Sequence, residues 1–107
     1  MKPVIQSFHA QADIKVATAY YEHEADTQTA IDFIDTLEEA VKHISLWPAS
    51  GSLRFAELLG LRGVRSYSLR RFPYIIFYIE HLDHIDIWRV LHGHRDIAAT
   101  LRDENDI

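Results

Sequence analysis

The chain has 107 residues and no cysteine. That absence excludes a disulfide scaffold, a zinc ribbon and a thiol nucleophile. Four glycines and three prolines are too few for a fibrous or linker-rich protein. Long apolar runs are missing as well. The longest, Tyr74 to Ile79, has six residues, whereas roughly 20 are needed to span a bilayer. The N-terminus turns polar at Gln6, unlike a signal peptide, so a cytoplasmic protein without membrane contact is expected. Positive charge is scarce: the net charge is −5 and no lysine follows Lys42. That argues against a nucleic-acid coat. There is also no glycine-rich phosphate loop, Ser-His-Asp pattern, paired-carboxylate motif or helix-turn-helix, so sequence-specific DNA binding by this chain alone is not expected.

What remains is globular composition, with 48% hydrophobic and 25% charged residues. The length fits one domain over residues 1–107, with an acidic tail at 102–107 expected to fray. The charge is unevenly laid out. Residues 1–48 carry three Lys and eight Asp/Glu, residues 49–79 five Arg and one Glu, and residues 80–107 three Arg and seven Asp/Glu. An arginine-rich segment therefore sits between two acidic ones.

Val4, Ile5 and Phe8 suggest a short opening strand. Ala10, Ile14, Ala17 and Tyr21 predict a helix over about 10–24. After a polar turn, Asp26 or Thr27 caps a second helix. There Ala30, Ile34, Leu37, Val41 and Ile44 recur at helical spacing up to about Leu46. Trp47-Pro48 ends it, because proline disfavours helical geometry in the residue before it. Phe55 to Leu61 fits either a short helix or an irregular segment.

From Gly63 the period falls to two, predicting a strand that runs to Arg71 and puts Arg65 and Arg71 on one face. Tyr74 to His81 is apolar on both faces and reads as a central strand. Leu82-Asp83-His84 is a turn, and Ile85 to Leu91 a third hairpin strand with Ile85, Ile87, Arg89 and Leu91 on one face. A short helix from Asp96 to Leu101 follows. The order β-α-α-β-β-β with a final short helix predicts an α+β fold, a helical hairpin packed on a small antiparallel sheet. One sheet face is expected to stay partly uncovered.

The candidate chemistry lies on the sheet. Arg65, Arg71, Arg89 and Arg95 offer guanidinium forks suited to phosphate or carboxylate. The plainer reading is that they pair with Asp83, Asp86 and Asp96. His92 stands beside Gly93 and His94, and histidine, whose unperturbed pKa lies near neutrality, suits acid–base work or ordering of a strand end. His81, His84, His92 and His94 match no metal-ligand spacing, so neither metal nor cofactor is expected.

Several strings then coincide with one family. They are Ala12-Asp13-Ile14, Tyr20-Tyr21, Phe33 to Glu38, Pro48 with Gly51, Gly63-Val64-Arg65, Arg71 to Tyr78, and Ile87 to Asp96. Over about residues 4–101 the chain resembles toxins of the RelE/ParE superfamily of bacterial type II toxin–antitoxin modules, and it is ParE-like in its Leu91-His92-Gly93-His94-Arg95-Asp96 ending. The resemblance implies a helical hairpin on an antiparallel sheet and a neutralising ParD-like antitoxin of ribbon-helix-helix type. It also implies one of two targets, DNA gyrase for ParE-like members or ribosome-bound mRNA for RelE-like nucleases. A nuclease here would draw on Arg65, Arg71, Arg89 and His92 as its catalytic set, and target contact of either kind on these with Arg95. The charge of −5 and the lack of lysine after Lys42 favour gyrase, because ribosomal RNA repels an acidic protein. On that reading the chain is a binding inhibitor and not an enzyme. A member that has lost toxicity and survives as a complex-forming partner is a third reading. Apolar bulk at element edges marks Tyr20, Tyr21, Phe55, Leu58, Leu59 and Tyr67 as the expected antitoxin surface.

Overall fold

The computed structural model describes residues 1–105, with side chains through residue 102. Strand β1 (Val4–Gln6) leads into α1 (Phe8–Glu24) and α2 (Thr27–Leu46). A single 3-10 turn (Pro48–Ser50) and α3 (Arg54–Leu59) follow, then β2 (Val64–Ser68), β3 (Tyr74–Glu80), β4 (Ile85–His92) and α4 (Ile97–Asn105). The expected tail overlaps α4; its last two residues lie outside the described residues. Among the described residues no helix is long and apolar enough to cross a membrane.

Local chemistry sets the helix ends. Ser7 Oγ accepts the Ala10 N–H at 3.0 Å and donates to the Trp88 carbonyl at 2.7 Å, so one side chain caps α1 and ties its start to β4. The cap turns Phe8 into the first helical residue instead of a strand residue, and leaves its ring exposed. Asp26 caps α2, taking the Thr29 N–H at 2.7 Å and its hydroxyl at 2.6 Å. Those two bonds hold the Asp26 carboxyl below its usual range. Trp47, before Pro48, ends α2 in non-helical geometry as expected.

The sheet order is β1-β4-β3-β2. β2–β3 and β3–β4 are antiparallel, but β1 lies parallel to β4, so the sheet is mixed. β3 is internal, as its two apolar faces predicted. Two findings correct the expected sheet. β2 stops at Ser68, and Arg71 lies in the following turn with φ of 67°, a left-handed conformation unusual outside glycine. Arg65 and Arg71 therefore do not share a strand face. In addition, the β3–β4 register jumps: Tyr78 faces Ile87 but Phe77 faces Arg89, leaving Trp88 as an extra, bulged residue. The bulge shifts the alternation, so Val90 joins Ile85 and Ile87 in the core under the helices while Leu91 joins the opposite face.

That opposite face is not open. Phe33, Leu37, Ile44, Ile76, Tyr78 and Ile87 belong to the core between the helical hairpin and the sheet. On the other side Val64, Phe77 and Leu91 pack with Leu61, Ile97 and Leu101, flanked by Phe55 and Leu59. α3 and α4 thus supply a second apolar layer, which corrects the expected uncovered face.

Candidate functional site

The sequence candidates separate into three places. Arg65 is bound into the loop after α2. Its guanidinium donates to the Gly51 carbonyl at 2.8 Å and to the Ala49 carbonyl at 3.2 Å. Beside it the Tyr78 hydroxyl accepts the Gly51 N–H at 2.9 Å and donates to the Pro48 carbonyl at 2.7 Å. Burial pushes the Tyr78 hydroxyl's pKa up, opposed by the Gly51 bond, Ser50 and the Arg65 charge. Gly51 has no side chain because one would run into the Tyr78 ring and hydroxyl. Arg65 and Tyr78 together anchor this loop to the sheet.

Arg71, exposed in the β2–β3 turn, approaches Asp32 on α2 at 3.7 Å. It stands apart from Arg65 and sits over the Phe72 ring at 5.7 Å.

Arg89, His92 and Arg95 gather at a groove of about 340 Å³ between α1 and the end of β4, lined also by Ala12, Asp13, Val16 and Tyr74. Arg89 does not reach out of it. Its Nε and Nη2 donate to the two carboxylate oxygens of Asp13 at 2.7 and 2.8 Å, and Asp13 also accepts the Val90 N–H at 3.0 Å. The Asp13 and Arg89 side chains are only 10% and 8% exposed. Among the described residues Arg89 thus pairs with a helix carboxylate, and not with the expected Asp83, Asp86 or Asp96.

His92 is half-buried and meets the Tyr74 ring edge-on at 5.2 Å. Its Nδ1 accepts the His94 N–H at 3.1 Å. Burial, with the hydroxyl of Tyr20 and the carboxylate of Asp13 nearby, raises the pKa of Tyr74. Among the described residues no group of three or more metal-ligating side chains converges. A second and more apolar cleft of about 400 Å³, between β1 and α2, is lined by Pro3, Val4, Leu37 and Val41 and by none of the sequence candidates.

The apolar candidates divide between both sides of the sheet. Tyr21 packs into the core with Phe33, Phe72 and Tyr74. Burial and the adjacent Tyr74 and Tyr20 hydroxyls raise its pKa. Tyr67 lies over His43. Phe55 and Leu59 pack on the other face. Tyr20 and Leu58 stay well exposed, at 55% and 67%. Sequence reasoning missed Asp13 as the partner of Arg89, along with Tyr74 and Val16 in the groove wall. The signal for Asp13 was a lone acid among apolar helix residues, Ala12-Asp13-Ile14.

The model of the ParE toxin of the type II toxin–antitoxin system parDE matches residues 4–97. A solved structure described as the chromosomal ParDE TA system from P. aeruginosa superposes with a TM-score of 0.72 at 23% identity, covering 86% of this chain and 96% of that one. At that identity the likeness is one of fold. No curated protein matches significantly. With a family model spanning nearly the whole chain, on a fold that agrees with it, the chain belongs to the ParE toxin family of type II toxin–antitoxin systems.

Proposed function

We propose that this toxin acts in the cytoplasm by binding and inhibiting DNA gyrase, and that a ParD-like antitoxin encoded beside it holds it inactive. The choice of target rests on the state of Arg89. A ribonuclease must stabilise a phosphorane and move protons with side chains free to touch RNA. Here Arg89 is engaged by Asp13 in a buried, two-pronged ion pair. Arg65 is bonded to two backbone carbonyls, and Arg71 leans toward Asp32 on α2. The four residues a nuclease would use do not form one catalytic cluster, and the net charge of −5 opposes ribosomal RNA. Inhibition of a protein target needs no such cluster. Of the expected contact residues, Arg71, His92 and Arg95 are left for contact with a partner, with Arg65 and Arg89 supporting the fold.

The test sets purified toxin with gyrase and supercoiled plasmid beside a translation reaction with mapped mRNA. Gyrase-dependent DNA cleavage or blocked supercoiling, with intact mRNA, is expected. Codon-positioned mRNA cuts that vanish in His92→Ala would sink the gyrase reading. Silence in both assays would favour a family member without toxicity.

A further inference from the structure

Arg95 stands at the α1–β4 groove. Among the described residues its guanidinium makes no ion pair or hydrogen bond, and the residue is exposed. The hydroxyl of Tyr74, on the same groove, has no hydrogen-bond partner among them either. His92 accepts a backbone N–H on Nδ1, which leaves Nε2 as the ring nitrogen that can donate. Three donor side chains thus border one groove. Asp13, the carboxylate among the described lining residues, is already engaged by Arg89 and Val90.

The facing wall is apolar. Ala12 and Val16 line it, and the same side of α1 carries Phe8 and Tyr20. These four recur every four residues, which places them along one side of the helix. Phe8, Val16 and Tyr20 are 82%, 71% and 55% exposed. A run of large apolar side chains left in water on one helix marks a contact surface.

We propose that this groove seats a protein segment bearing a carboxylate between apolar side chains, that Arg95 receives the carboxylate, and that the segment belongs to the antitoxin. Charge complementarity selects the occupant. An unpaired guanidinium beside two further donors calls for an acid, and the Phe8–Val16–Tyr20 wall calls for apolar groups around it. A nucleic-acid strand would want a row of cations along its backbone, and this groove offers one unpaired arginine against an apolar wall. The inference rests on the reading of the chain as a toxin held by an antitoxin, and gives that complex a location.

The test titrates the protein encoded beside this chain into the full-length toxin by calorimetry. Arg95→Glu and Val16→Asp both alter exposed side chains, so thermal melts should match the wild type. Each is expected to weaken binding by about tenfold or more, the Arg95 effect shrinking as salt rises. Leu82→Asp, in the turn at the far end of β4, should leave affinity unchanged. If the neighbouring protein binds both groove variants as tightly as wild type, the groove assignment is overturned while the antitoxin reading stands. If it does not bind the wild-type chain at all, both are overturned. A single-stranded oligonucleotide that binds wild type and is lost in Arg95→Glu would overturn the protein segment in favour of nucleic acid.

Discussion

Removing Asp13 should be among the most damaging single changes to this fold. Its carboxylate receives three donors, two from Arg89 and one from Val90 N–H, at 2.7 to 3.0 Å. Both charged side chains are nearly excluded from water. Asp13→Ala takes the two-pronged Asp13 carboxylate away from a buried guanidinium and the acceptor away from an inner N–H, a loss of about 3–5 kcal/mol. With a urea slope of about 1–3 kcal/mol/M for a small domain, the unfolding midpoint should fall by roughly 2 M. Asp13→Asn keeps an acceptor for Val90 and should fall between. Replacing the pair by apolar groups, Asp13→Leu with Arg89→Met, removes the desolvated charges together and should return stability to within about 1 kcal/mol of wild type. Urea melts followed by circular dichroism measure these proteins together with the single variants Asp13→Leu and Arg89→Met. A loss below about 1 kcal/mol for Asp13→Ala, or a double variant as unstable as the two single losses added, would refute the account of Arg89 as a residue held by the fold.

Other expectations follow from the same contacts. Tyr78→Phe strips the Gly51 N–H of its acceptor and should cost about 1–3 kcal/mol in a urea melt; Gly51→Ala forces the Tyr78 ring to move and should cost a similar about 1–3 kcal/mol. Leu101→Ala empties a fully buried site beneath α4 and should lower stability by about 2–5 kcal/mol, which an uncovered sheet face would not produce. The Asp26 carboxyl is held below its usual value by Thr29, so its contribution is present above the unfolded carboxylate's pKa and is lost as pH falls through the lower folded value. Acid unfolding of Asp26→Asn, followed by ellipticity, should therefore show less of that acid-limb loss.

Local patterns carried much of this far. α2 spans Thr27–Leu46 because its apolar spacing, its Asp26 cap and its Trp47-Pro48 stop agree with one another. β3 is internal because both its faces are apolar. The site was less legible. Strict alternation put Arg89 and Leu91 on one face with Ile87, and a single bulged residue at Trp88 broke that arithmetic. The same alternation carried β2 through to Arg71, but the strand ends three residues earlier and Arg71 takes a left-handed backbone. Neither event has a marker in residue type, since no glycine stands at either place.

By itself, then, the sequence determined the element order, the helical hairpin, the acidic surplus and the family, because these follow from periodicity, caps and motifs that are local in the chain. Tertiary structure alone decided which arginines are free. Asp13 and Arg89 are 76 residues apart and meet only when α1 is laid on β4. Arg65 meets the loop after α2 only when β2 joins the sheet. An arginine's charge is written in its residue type, but its availability depends on whether folding brings an acceptor to it. That consumes two of the expected contact arginines and leaves Arg95 exposed at the groove.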